Sequence, residues 1–163
     1  MNLIQVVLVV MVTIAAWSDL RTRRIPNWIT APGAVVGFVL QTWDGGFYGA
    51  LAAMAGAGLG LGIFIVLYMA GGMGAGDVKL FSAVGALVGP QALILVFIFT
   101  GLLGGIAAAA LAISRGRLRE TLEKTGALAL GVRTAATPDS LRLPYGAVIA
   151  AGTLVSLFVS GVF

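Results

Sequence analysis

The sequence contains no cysteine and no histidine among its 163 residues. Without cysteine the chain can form no disulfide, thiol nucleophile or cysteine zinc site. Without histidine it lacks the usual general base and the commonest metal ligand. Charged residues are also scarce, at 10% of the chain against about 25% in soluble domains. Any acid–base chemistry must therefore use six carboxylates, two lysines, three tyrosines or the hydroxyl residues.

Apolar residues make up 60% of the chain, and the mean hydropathy is +1.06. A water-soluble domain of this length has too little interior to bury so much apolar surface. The composition therefore excludes an ordinary soluble enzyme and predicts an all-α, polytopic membrane protein with a single membrane-embedded domain over residues 1–163. Although the net charge is +4, the basic residues occur in short blocks between apolar runs. That placement is typical of membrane orientation, so we expect no nucleic-acid partner.

Six apolar runs predict six transmembrane helices. A cleaved signal peptide is the alternative for the first run, but no lysine or arginine precedes it, as a signal peptide would require. A turn at Asp44-Gly45-Gly46 separates the second and third runs, and Pro26-Asn27 is a helix-start signal before the second. The runs cover residues 3–17, 28–43, 47–70, 78–88, 91–113 and 144–163.

Gly89-Pro90 either separates two spans or kinks one, and the basic residues decide between these possibilities. A break puts all ten lysines and arginines on one side of the membrane, whereas a kink leaves four on one side and six on the other. The positive-inside rule favours the break, which predicts both termini outside the cytoplasm and three basic cytoplasmic loops. These loops also suit anionic lipid headgroups. The fourth span reaches only roughly 17 Å, so the loop before it needs a protein cover.

Glycines spaced four apart recur in three of the predicted helices. This spacing lets helix backbones approach closely and predicts tight packing rather than catalysis. In the polar stretch 114–143, loosely spaced apolar residues among basic ones are typical of an interfacial helix. The spaced glycines are Gly33/Gly37, Gly56/Gly60, Gly58/Gly62 and Gly101/Gly105.

Two aspartates adjoin spans on the predicted cytoplasmic face. Asp19 lies at the exit of the first span and Asp77 at the entry of the fourth. An acid is unfavourable at a helix C-terminus, and an acid at or below the headgroup level is a functional candidate. The alternative for Asp19 is a solvated loop residue paired with Arg21 or Arg23.

Asp77 follows four glycines within the six residues 71–76. An N-cap for a helix over Val78–Val88 would explain the aspartate. It would not explain the glycines, which indicate unusual dihedral angles or a close approach of another segment. Lys79 either tunes Asp77 or extends its ammonium group to the headgroups.

Two aspartates that share a site cannot easily both be ionised, so the pair holds one proton. The ionised member can take a proton from water while the protonated member polarises a scissile carbonyl. This aspartyl proteolysis needs no metal and no cofactor. Two alternatives stay open: a small ion-coupled transporter or channel component that uses the acids as a cation or proton site, and a Ser/Lys protease that uses Lys79 and Ser82.

Three segments resemble the type IV prepilin peptidase family. Gly74-Ala75-Gly76-Asp77 has the GxGD pattern of intramembrane aspartyl proteases. It lies within a longer segment, GGMGAGDVKL at 71–80, that resembles the family. The segments SDLRTRRIPN at 18–27 and LPYG at 143–146 resemble it too, so the likeness extends over most of the chain.

The resemblance implies that Asp19 and Asp77 are the catalytic pair. It implies that Gly74, Gly76 and Lys79 belong to the active-site loop. The remaining matched residues are expected in supporting positions: Arg24, Pro26, Asn27, Pro144 and Tyr145.

The substrate implied by the resemblance is a prepilin, whose short basic leader is cut at the cytoplasmic face of the inner membrane, before a hydrophobic helix. Many bacterial members also carry a four-cysteine domain and N-methylate the new terminus. Because this chain has no cysteine, it resembles the short, peptidase-only members that serve tight-adherence (Flp-type) pili, or archaeal preflagellin peptidases.

Overall fold

The computed structural model describes residues 2–114 and 144–160, which form four helices. These are α1 (Leu3–Thr22), α2 (Asn27–Met69), α3 (Ala75–Ser114) and α4 (Tyr145–Ser160). No β-strand occurs in these residues, so the predicted all-α class is confirmed for them. Three of the helices are long and apolar enough to cross a membrane. The interfacial helix predicted in the stretch 114–143 lies outside the described residues.

Helix α1 is longer than its apolar run. A capping box closes its start, because Asn2 Oδ1 accepts the Gln5 N–H at 2.9 Å while Gln5 Oε1 accepts the Asn2 N–H at 3.0 Å. The helix ends at Thr22, and the capping residue Arg23 has a left-handed φ of 52° and donates its N–H to the Asp19 carbonyl at 2.8 Å. The prediction of a loop directly after Trp17 is therefore wrong, and Asp19 lies on the last turn of a helix.

Helix α2 begins at Asn27 after Pro26, as predicted, and is interrupted at Gly46 (φ 57°, ψ −137°) in the predicted turn. A Cβ added at Gly49 would overlap the backbone carbonyl of Gln41. In a continuous helix, residues eight apart are separated by about 12 Å. The two parts of α2 therefore fold back on each other as a helical hairpin.

Helix α3 has a similar break at Gly89 (φ 76°, ψ 173°), directly before Pro90. Its second part folds back, since a Cβ at Gly85 would lie 3.0 Å from Cδ2 of Leu93. The first part begins at Ala75 instead of the predicted Val78, because the first helical turn includes the last residues of the glycine-rich segment. It is about 22 Å long at 1.5 Å per residue.

The first part of α3 forms the centre of the bundle. Residues 77–89 are buried except for Lys79 and the half-buried Ser82. Phe81 stacks on Phe64 of α2 with 3.9 Å between ring centroids, and Phe97 packs edge-on against both rings. Neighbouring helices thus surround this segment. The loop before it is largely exposed at residues 71–74 within the part of the chain that the structure describes.

The four-residue glycine spacing serves packing at some of the predicted positions. A Cβ at Gly56 would overlap the Gly85 carbonyl, and a Cβ at Gly60 would lie 2.8 Å from the Phe81 carbonyl oxygen. Gly33 and Gly37 likewise face Met11 and Leu87. The remaining predicted glycines have open space at their Cβ positions within the described structure: Gly58, Gly62, Gly101 and Gly105.

The break in α3 is secured by a side chain from α2. Gln41 Nε2 donates to the Leu87 carbonyl at 2.9 Å, next to the interruption of helical hydrogen bonding at Gly89. We expect Gln41→Leu to lower the free energy of unfolding by about 1–3 kcal/mol, because a buried carbonyl loses its partner. Thermal unfolding in detergent measures this. The exposed Gln91 is the control, and equal effects of Gln41→Leu and Gln91→Leu would contradict the prediction.

Candidate functional site

Asp19 lies on the last turn of α1 and is only 6% exposed. Its Oδ2 accepts the backbone N–H of Gly146 at 2.8 Å, in the first turn of α4. The N–H groups of a first helical turn have no partner within the helix and favour negative charge, so this is a suitable position for a carboxylate. The alternative of a solvated Asp19 in a loop is therefore wrong. Arg21, one of its proposed partners, lies over the Trp17 ring at 5.0 Å.

Asp77 lies in the first turn of α3 and is 7% exposed. Its Oδ2 accepts the Gly74 N–H at 3.0 Å, and its own N–H donates to the Gly74 carbonyl at 3.1 Å. The side chain thus reaches back to the residue before the helix, as the third residue of a capping box does. Asp77 does stabilise a helix start, but not as the N-cap predicted directly before Val78.

The fold brings the two aspartates together. The end of α1 and the starts of α3 and α4 meet at the same end of the bundle, because Ile25 lies against both Gly76 and Gly146, and the Gly146 N–H donates to the Asp19 carboxylate. Tyr145, which is half-buried, begins α4 directly before Gly146. Because both carboxylates are buried, water screens their interaction weakly.

Ile25 lies at the same place and was missed by the sequence analysis. It is 9% exposed, within a segment whose neighbours are mostly exposed. A Cβ at Gly76 would lie 3.1 Å from Ile25 Cβ, and a Cβ at Gly146 would lie 2.8 Å from Ile25 Cδ1. The only sign of its burial in the sequence was a single isoleucine inside a charged segment predicted to be a loop.

Lys79 connects two helix starts. Its Nζ donates to Oδ1 of Asn27 at 2.9 Å, which joins the start of α3 to the start of α2. Ser82 Oγ instead donates to the Ala57 carbonyl at 3.0 Å. Lys79 and Ser82 thus bond to different partners, and these two hydrogen bonds give no support to the Ser/Lys protease alternative.

The other predicted supporting residues shape the backbone around the pair. Pro26 is the N-cap of α2, and the Pro144 carbonyl accepts the Ala147 N–H at 3.1 Å at the start of α4. The Arg24 side chain is exposed, and its carbonyl accepts a hydroxyl hydrogen bond from Ser18 at 2.9 Å. Over residues 2–114 and 144–160, no group of three or more acidic residues converges as a metal site would need.

Comparisons with known proteins identify the family. The model of the type IV leader peptidase family matches residues 6–109, which include both aspartates. A prepilin leader peptidase/N-methyltransferase of Bacillus subtilis is 33% identical over 131 residues, covering 77% of this chain and 52% of the relative. One from Neisseria gonorrhoeae is 31% identical over 106 residues, covering 61% of this chain and 37% of the relative.

The chain thus spans about half the length, or less, of these curated relatives. No solved structure matches it. The family model nevertheless covers well over half of the chain. It contains α1 from residue 6 onward, all of α2 and most of α3. This chain, with its long apolar helices, is a membrane protein that belongs to the type IV leader peptidase family.

Proposed function

We propose that this chain is an aspartyl endopeptidase that removes the leader of type IV prepilins, with Asp19 and Asp77 as its two catalytic carboxylates. The observation that carries the proposal is the meeting of these two buried acids, each held by a backbone N–H, at one end of the bundle. Family membership and the names of the two relatives support the substrate class. Cleavage of a purified prepilin, and its loss when either aspartate becomes asparagine, tests the proposal.

The mechanism needs one proton on the pair and one water between the carboxylates. The ionised carboxylate removes a proton from the water, whose oxygen attacks the scissile carbonyl, while the protonated carboxylate donates its proton to the carbonyl oxygen. The tetrahedral intermediate then collapses. The C–N bond breaks as the first carboxylate passes its proton to the leaving nitrogen, and the second recovers its own from the hydroxyl. Both groups end as they began.

The substrate's hydrophobic helix would lie in the membrane beside the bundle, with its leader at the end where Asp19 and Asp77 meet. A prepilin of the tight-adherence (Flp) type is the proposed substrate, because the segments at 18–27 and 143–146 resemble that type. We propose that the chain does not N-methylate its product. It has no cysteine, and only residues 23–26 connect α1 to α2, so this connection has no room for a four-cysteine domain.

The proposed topology has six spans in the inner membrane, with both termini outside and the carboxylates facing the cytoplasm. The breaks at Gly46 and Gly89 support six spans, because they divide α2 and α3 into two helical parts each. Arginines and a lysine cluster at the carboxylate end, as the positive-inside rule requires. The exposed Trp17 and Trp28 there suit a membrane interface, and the arginines suit anionic headgroups.

The absence of cysteine makes this topology directly testable. We expect a cysteine introduced as Asp44→Cys to react with a membrane-impermeant maleimide in intact cells, because residue 44 lies in the exposed turn at the outer side. A cysteine introduced as Arg21→Cys, which is also exposed, should react only after the cells are permeabilised. The unaltered chain, which has no cysteine, is the control and should not be labelled. Labelling of both variants in intact cells would contradict the proposed orientation.

A further inference from the structure

The connector between α1 and α2, residues 23–26, has a braced backbone. Arg23 adopts a left-handed conformation and donates its N–H to the Asp19 carbonyl. The Arg24 carbonyl accepts a hydrogen bond from Ser18 Oγ at 2.9 Å. These bonds fix the connector against the last turn of α1. The Ile25 side chain is therefore presented from a well-defined backbone.

Ile25 is the one buried residue between positions 20 and 28. It lies against Gly76 at the start of α3 and against Gly146 at the start of α4. A Cβ added at Gly76 would lie 3.1 Å from Ile25 Cβ, and one added at Gly146 would lie 2.8 Å from Ile25 Cδ1. Each of these glycines adjoins one acid. Gly76 precedes Asp77 in the chain, and Gly146 donates its N–H to the Asp19 carboxylate. The starts of α3 and α4 are thus separated by a single isoleucine side chain.

We propose that Ile25 is a positioning residue that sets the separation of the two carboxylates, an inference that rests on the proposed function. Glycine is needed at both positions, because a Cβ at either would crowd the Ile25 side chain. A smaller residue at 25 lets the starts of α3 and α4 move toward each other, whereas a Cβ on Gly146 forces them apart. In catalytic sites a displacement of about 1 Å can lower the rate on the order of 100-fold.

The first test compares two isoleucines with the same substitution. We expect Ile25→Ala to lower kcat for cleavage of a purified Flp-type prepilin by about 10–100-fold, with KM changed by less than about twofold. Ile29→Ala is the matched control, because Ile29 is similarly buried, at 6% exposed, and is not among the atoms nearest to a Cβ at either glycine. The control should lower the melting temperature by a similar amount and leave kcat within about twofold. A purely structural role for Ile25 would make the two variants alike.

The second test uses compensation between residues 25 and 146. Gly146→Ala places a Cβ against Ile25 Cδ1, and Ile25→Val removes that methyl group. We expect Gly146→Ala to lower kcat about 10-fold or more, and the double variant to recover part of this loss. Recovery is only partial, because the new Cβ also lies 3.0 Å from Asp19 Cβ. Such a gain from a second substitution is the sign of a direct coupling.

Two results would overturn the inference: equal kcat values for Ile25→Ala and Ile29→Ala, or a double variant no faster than Gly146→Ala alone. If Ile25→Ala does not fold, the double variant decides. Asp19→Asn and Asp77→Asn in the same assay separate this inference from the proposed function. If either aspartate variant still cleaves the prepilin at the wild-type rate, the proposed function is overturned. If the aspartate variants lose cleavage but the changes at Ile25 leave its rate unaltered, only the positioning role of Ile25 is overturned.

Discussion

Asp19→Asn or Asp77→Asn is expected to lower kcat for prepilin cleavage by about 1,000-fold or more. General acid–base groups typically contribute about 100- to 10,000-fold, and the proposed mechanism needs both carboxylates in every turnover. An asparagine cannot hold or transfer the shared proton. It can still accept the Gly146 or Gly74 N–H through its amide oxygen, so the backbone contacts at 2.8 and 3.0 Å persist. The folded structure should therefore survive each substitution.

A variant with both Asp19→Asn and Asp77→Asn should be no slower than either single variant, because one proton is shared and loss of either group disables the pair. The control is Asp44→Asn, which neutralises an exposed acid in the turn at the opposite end of the bundle and should stay within about twofold of the wild-type rate. Mass spectrometry of the timed products measures cleavage and reads the new N-terminus, which we expect to be unmethylated. A well-folded Asn variant that cleaves at the wild-type rate would rule out the aspartyl mechanism.

The placement of Asp19 and Asp77 at one end of the bundle could be predicted from local sequence. Alternation of apolar runs with basic blocks assigned Asp19 and Asp77 to one face, and the glycines before Asp77 marked it further. Their partners could not be predicted in the same way. The bond from Gly146 to Asp19 joins residues 127 positions apart and depends on where α4 packs. Ile25 was missed for the same reason, since it lies against Gly76 and Gly146, which belong to two separate segments of the chain.

Helix boundaries show a second limit. Hydropathy marks where an apolar run ends, but backbone hydrogen bonding continues through polar residues, so α1 extends to Thr22 and α3 starts at Ala75. The breaks at Gly46 and Gly89 were predictable, because glycine tolerates the positive φ that each adopts. Which run occupies the centre was not predictable. In membrane proteins, helices that face lipid and helices that face protein can both be apolar on all sides.

The glycines of α2 show the same limit, because Gly56 and Gly58 look alike in sequence but face different surroundings. Gly56 packs against the backbone of Gly85, and each lies where the other's Cβ would be. Gly58 has open space beyond its Cα in the described structure. The same substitution at these two positions should therefore have opposite effects on stability.

Gly56→Leu is expected to destabilise the fold by about 3 kcal/mol or more, at or above the upper end for overpacked sites. The obstacle is a backbone carbonyl, which cannot rotate away as a flexible side chain can, so α2 and the first part of α3 must separate. That separation removes the close helix contact on which association in lipid depends. Gly58→Leu, the matched control, should be neutral or stabilising by up to about 1 kcal/mol, because leucine is the better helix former. Thermal unfolding in detergent micelles, followed by size-exclusion chromatography, measures both variants. Equal melting temperatures would show that the bundle does not depend on this backbone contact.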